Sequence, residues 1–245
     1  MLVIPRPLKI HRQPDDVTCG PTCLQAIYAY HGDEISLKDV IAQAPQFPEG
    51  GTLAVFLGCH ALERGYDATI YTHNVHVFDP TWFGENHRPQ VDIGEKLRQQ
   101  RDSKSNNERL LDATAGYLKF LTMGGRLRMR DLSHELLAEH IVEDGMPLLT
   151  GLNATFLYRS ARERFEGRVA ILDDVAGEVA GHFVVLCGMD SERRRVLVAD
   201  PLHTNPYAEN DHFYWVATEH AIAAILLGIV TYDANLLLVH PKPVV

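Results

Sequence analysis

The sequence predicts an α+β fold, with an N-terminal helical half packed on a C-terminal antiparallel sheet. Two observations carry this. Up to Glu143 the apolar residues recur mostly at helical spacing; after Gly145 they gather in short Val-, Leu- and Ile-rich runs bounded by Gly, Pro, Asp or charged turns. Helices therefore precede strands, and no regular strand–helix–strand repeat announces a doubly wound sheet. Composition agrees: 46 % hydrophobic and 22 % charged residues is an ordinary globular balance, and 245 residues suffice for one large domain or two small ones.

The first helix is expected to begin at Cys19 and run to Tyr30. Cys23, Ile27 and Tyr30 form one stripe that Ala26 fills, Pro21 falls in the first turn where its missing donor is not needed, and Gly32 is the stop. Ser36 precedes Asp39 by three residues, a capping-box-like start for a short helix through Ala42. Thr52 to Gly65 reads as a helix leading into a strand at Tyr66–Tyr71. The stretch His73–Arg88 is aromatic, histidine-rich and broken by prolines, hence a long loop. Asp92–Arg101 and Glu108–Leu121 read as helices separated by a polar hinge, and Leu132–Glu143 as a third amphipathic helix. Strands are expected at Pro147–Leu152, Phe183–Cys187, Arg195–Ala199 and Leu236–His240, with an Ala-rich helix, Thr218–Leu227, inserted among them. A groove between the two halves is a natural place for a site.

Several function classes are disfavoured. The formal charge, 23 − 32 = −9, argues against a nucleic-acid partner. The short basic stretches Arg126–Arg130 and Arg193–Arg195 read as solvated faces or turns. The longest apolar run, Ala221–Val230, is shorter than the roughly 20 residues a membrane span needs. Met1–Ile10, interrupted by Pro5 and Pro7, lacks the pattern of a secretory signal, so the expectation is a cytoplasmic protein. Of the four cysteines, Cys23, Cys59 and Cys187 sit beside apolar residues as small buried hydrophobes, with no spacing for a zinc site or a disulfide scaffold. His73, His76 and Asp79 are spaced three apart, but Pro80 and the strand-like Val75–Phe78 argue against a helical metal site, so no metal and no cofactor is expected. His134 and His140 read as surface residues. The loop Phe78–Phe83, with Trp82, offers itself as a wall of a substrate groove.

Four positions together suggest chemistry. A free thiol is only a few per cent ionised at neutral pH, and a helix N-terminus supplies unpaired N–H groups and positive potential that favour the thiolate. Cys19 has that position, whereas Cys23 lies one turn deeper. His182 opens a strand after Gly181 and is the candidate base. Asp200 ends the next strand and could accept from the other ring nitrogen, fixing tautomer and orientation. The Cys19 backbone N–H and the Gln13 side-chain amide are candidate donors to the oxyanion. Taken singly, a Gln or Asp at a turn and a His in a strand are usually structural.

The combination is more specific. Gln13, then Asp16-Val-Thr-Cys19-Gly-Pro-Thr-Cys23, then Gly181-His182-Phe-Val-Val-Leu186, then Asp200-Pro201 resembles the double-glycine leader peptidases, bacteriocin-processing cysteine endopeptidases of papain-like fold. Phe213-Tyr-Trp-Val216, the helix after it and the closing strand resemble that family's end. The resemblance implies Cys19 as nucleophile, His182 as base, Asp200 as orienting residue and Gln13 in the oxyanion hole. It implies one papain-like domain over 1–245, with an enlarged middle region at about 47–143 that the resemblance does not cover. The implied activity is hydrolysis of a peptide or protein substrate through a thioester acyl-enzyme. Transfer of the acyl group to an amine, as in transglutaminase-like enzymes or acyltransferases, uses the same residues, and a non-catalytic peptide-binding module is the third reading. Oligomeric state is not legible.

Overall fold

The computed structural model describes residues 2–47, 50–166, 169–208 and 211–242. The outer limits of the expected domain, Met1 and Val245, lie outside them. In chain order the elements are β1 (Leu2–Val3), α1 (Cys19–Tyr30), α2 (Leu37–Gln43), α3 (Ala54–Glu63), β2 (Tyr66–Thr72), α4 (Ile93–Ser103), α5 (Glu108–Thr122), β3 (Arg126–Arg128) and α6 (His134–Ala138). There follow β4 (Leu148–Asn153), α7 (Ala154–Tyr158), β5 (Glu163–Glu166), β6 (Val169–Leu172), β7 (Gly181–Asp190), β8 (Arg195–Ala199), β9 (Phe213–Ala217), α8 (Thr218–Leu227) and β10 (Asn235–Pro241).

One twisted sheet organises the chain in the order β3-β2-β10-β4-β7-β8-β9, with β1 on the far end of β7. Neighbours are antiparallel except β2 and β3, which run parallel. The last strand, β10, lies inside the sheet between β2 and β4. β5 and β6 form a separate hairpin.

The two-residue period of the strands divides the core into two layers. Leu149, Val185, Leu197 and Leu237 face α1, α3 and α5, where Leu24, Leu57 and Phe120 meet them. Leu148, Val184, Val198 and Leu236 face the opposite side, against Leu136 of α6 and Ala221 and Ile225 of α8. The α+β class is as expected. The structure adds that the first half contributes β2 and β3 to the sheet, and that helices of the second half cover its other face.

Local expectations fared unevenly. α2 starts as read, with the Asp39 N–H donating to Ser36 Oγ at 3.1 Å. Arg126–Arg128 forms a short strand whose two arginines are half-exposed, a solvated face rather than a turn, with Arg126 donating to Thr69 Oγ1 at 3.1 Å and pairing with Asp67 across the parallel ladder. The helix expected at Leu132–Glu143 begins only at His134, after its Ser133 cap, and its last turn widens into a π-turn over 139–143. His140, expected at the surface, is buried there between Asp144 and Tyr71. The Phe78–Phe83 loop lines neither cleft at the candidate site described below. It packs back, with Phe78 edge-on to Tyr117 of α5 at 4.6 Å between ring centroids. Among the described residues no helix is long and apolar enough to cross a membrane.

Candidate active site

The mouth of α1 is shaped by its first four residues. The Thr22 N–H donates to Thr18 O at 3.1 Å, closing the first turn and leaving the Cys19 and Gly20 N–H groups without helical partners. Gly20 is required by space: a Cβ there would lie 2.6 Å from Thr52 Cγ2. Cys19 sits at this mouth, lining a cleft of about 220 Å³. Cys23 is fully buried one turn deeper, its thiol bonded to Phe183 O at 3.3 Å. Burial, helped by the charges of Cys19 and Asp200, pushes the Cys23 thiol well above its usual range.

His182 stands near the start of β7, and Asp200 one step beyond the Val185–Ala199 pair that ends the β7–β8 ladder. His182 Nε2 meets Asp200 Oδ1 at 2.8 Å, which turns Nδ1 away from the carboxylate, and the Cys19 side chain lies near enough to the ring to favour its charged form. Asp200 has no exposure and is completely partnered. Its Oδ1 also accepts from Leu202 N at 2.9 Å, and its Oδ2 accepts from the hydroxyls of Tyr158 at 2.7 Å and Tyr214 at 2.6 Å.

The charges follow from this. Burial opposes an imidazolium at His182, but the charge and hydrogen bond of Asp200, with Cys19, outweigh it and push the ring up to about 10. Burial likewise opposes the Asp200 anion, yet His182 and the two tyrosine hydroxyls hold its carboxyl below the usual range. Burial and the Asp200 charge push both phenols up, so they remain donors.

Gln13 is joined to the same assembly. Its N–H donates to Pro201 O at 3.0 Å, and its Nε2 donates to Asp15 O at 2.8 Å, which leaves one amide hydrogen uncommitted. Its Oε1 is buried without a partner. Gln13 lines a second groove, of about 550 Å³, that adjoins the Cys19 cleft. Asp16, Gly181 and His182 border both hollows. The structure thus brings Gln13, Cys19, His182 and Asp200 into one place, in an arrangement that can move a proton between sulfur and imidazole while a buried carboxylate holds the ring.

Tyr158 and Tyr214 were not legible as parts of the site. The alternation in Phe213-Tyr-Trp-Val216 places Tyr214 opposite Val198 on the Asp200 face of the sheet, a signal that could have found it. Nothing in the sequence marks α7 or its Tyr158. The histidines of the loop are engaged elsewhere: His73 Nε2 meets Arg130 O at 2.8 Å and His76 stacks on Tyr232. Asp79 accepts from Thr81 N at 2.9 Å.

Comparison with known proteins gives the following. The family described as Peptidase_C39 like family matches residues 7–222, a span that includes the middle of the chain. A structure described as a C39-like peptidase from Bacillus anthracis is 15 % identical, with 99 % of this chain and 98 % of that one covered and a TM-score of 0.51. Xylellain, a cysteine protease from Xylella fastidiosa, is 12 % identical over 98 % of this chain and 86 % of its own, with a TM-score of 0.46. The peptidase domain of Streptococcus ComA is also 12 % identical, covering 96 % and 100 % respectively, with a TM-score of 0.43. No curated protein matches the sequence.

Proposed function

The chain belongs to the C39-like peptidase family and is a cysteine peptidase, and on that premise we propose that Cys19, His182, Asp200 and Gln13 carry its reaction. The observation that supports this most is a single imidazole held between a fully buried carboxylate and a cysteine at a helix mouth. Cys19 attacks the scissile carbonyl as its proton resides on His182. The oxyanion of the tetrahedral intermediate takes hydrogen bonds from the Cys19 N–H and the free amide hydrogen of Gln13. His182 then passes the proton to the leaving amine, and a thioester remains on Cys19. Water, deprotonated by the same imidazole, opens the thioester and regenerates the thiol. Asp200 stays ionised throughout and keeps Nδ1 directed at sulfur.

The substrate in this reading is a peptide lying along the two hollows that meet at His182. All four cysteines are buried free thiols, which suits a reducing compartment such as the cytoplasm. The participation of β2 and β3 in the common sheet supports one domain that includes the enlarged middle. Cleavage of a peptide library tests the assignment. Cys19→Ala and His182→Ala are expected to abolish turnover, and Gln13→Ala to lower kcat by about 10²–10³-fold, the usual loss of one oxyanion donor. Turnover that survives Cys19→Ala would overturn it, and product masses separate hydrolysis from transfer to an added amine.

A further inference from the structure

We propose that the groove adjoining the Cys19 cleft receives the leaving half of the substrate and selects an apolar side chain on its first residue. This rests on the peptidase reading above and adds a direction and a side-chain class to it. Direction follows from which residues each hollow holds. Cys19 lines the smaller cleft, and the acyl group stays bound to its sulfur in the thioester. The groove of about 550 Å³ is lined by His182 and Gln13 but not by Cys19. When the scissile C–N bond breaks, the nitrogen takes the His182 proton and departs where imidazole, and not sulfur, forms the wall. Gly181 and His182 border both hollows, so a peptide passes from one to the other at the imidazole.

The groove is built in advance, its walls held by backbone bonds. The Ala154 N–H donates to Ala180 O at 2.8 Å, and the Ala180 N–H donates to Thr155 Oγ1 at 2.9 Å, fixing α7 to the segment before β7. Tyr158 of α7 anchors its hydroxyl on Asp200 while lining the groove. The β5–β6 hairpin is tied to the same segment, because the Glu163 and Glu178 main chains pair as an antiparallel bridge. Its strand β6 presents Ala170 and Leu172 to the groove, two residues apart and so on one face.

Leu172 is 64 % exposed. A solitary exposed leucine is ordinary, but this one shares with Tyr158, Val179 and Leu202 a single groove that reaches the proposed base. Its volume lies within the roughly 300–1,000 Å³ usual for preformed ligand sites. Asp16, Glu163 and Glu178 also border it, which makes a basic residue the rival occupant. Asp16 and Glu178 are exposed, and solvated charges gain little from a contact. An apolar side chain gains by leaving water for the surfaces of Leu172, Val179 and Leu202.

Digestion of a randomised peptide library, with the new N-termini read by mass spectrometry, tests this. Leu, Ile, Met and Phe are expected there about tenfold more often than Gly, Asp or Lys, the low end of what an apolar pocket discriminates. Leu172→Asp should cut that enrichment below about twofold, and an unchanged Tm verifies that the variant folds. Val175→Asp puts the same charge on the turn after β6, at a position 82 % exposed and outside the groove, and should leave the enrichment intact. New N-termini without preference, enrichment of Lys and Arg, or an apolar preference that survives Leu172→Asp overturns the proposal. Cleavage of no peptide at all overturns the peptidase reading instead, and the groove is then judged by binding of fluorescent peptides to the Cys19→Ala protein. Tighter binding of peptides with N-terminal Leu than with N-terminal Asp, lost on adding Leu172→Asp, sustains its selectivity; equal binding overturns it.

Discussion

Asp200 receives four hydrogen bonds with no exposure to solvent, and His182 first, then the two phenols on Oδ2, hold it in its charged form. Because its carboxyl is held below the ordinary value, its contribution to stability is present above about pH 3.9 and is lost as pH falls through the folded value. Tyr214→Phe removes one donor and raises the proton affinity of Asp200. The acid limb of the kcat/KM profile should therefore move to higher pH, with a cost of roughly 1.5–3 kcal/mol in stability, the usual worth of a hydrogen bond to a charge. An unmoved acid limb would mean the phenol only fills space. At this scale the sequence was informative about Cys19, His182, Asp200 and Gln13 because their order and neighbours form a family pattern. It was silent about Tyr158, whose hydroxyl reaches Asp200 across 42 residues from a five-residue helix with no periodicity to expose it.

The seating of α1 is a steric matter at the scale of elements. Gly20 lets the helix mouth approach Thr52, Leu57 and Phe183, and a Cβ would strike Thr52 Cγ2 first. Gly20→Ala is expected to destabilise by about 1–3 kcal/mol, as overpacking does, and to depress kcat by displacing Cys19. Thr52→Ser in the same chain removes the struck methyl while keeping the hydroxyl bond to Pro45 O, so it should restore much of both. Thermal melts and kcat of the single and double variants check this. The elements that could be read ahead share local signals: α1 and α8 have apolar stripes, α2 has its cap, and β8 has its Val-rich run between charges. β3 has three residues and exists through its ladder with β2, while α7 is a single Asn153-capped turn and a half. Nothing local distinguishes these from loop.

Across the whole molecule, Asp233 ties distant regions together. Its Oδ2 accepts from Ala54 N at the start of α3 at 2.7 Å, and its Oδ1 accepts from Asn235 of β10 at 2.5 Å. Burial pushes this carboxyl up to about 7, against the pull of those hydrogen bonds and of Arg109. A folded value raised above 3.8 means that the group's contribution to stability is full below that pH and is lost as pH rises through 7. Asp233→Asn removes this titration. The difference in Tm between parent and variant should therefore change between pH 4 and 7, the parent losing ground as pH rises. Parallel melting curves across that range would show that Asp233 titrates alike in both states.

The position of β10 has a consequence for how the enzyme comes into being. Strand β10 joins the β2–β3 edge to the rest of the sheet, yet it follows every other described element along the chain. His182 and Asp200 also follow Cys19 by 163 and 181 residues. A nascent chain that has exposed Cys19 but not yet β7, β8 and β10 has neither the proposed base nor the strand that joins the two parts of the sheet. On the proposed assignment, activation of the thiol waits until those strands have emerged and paired.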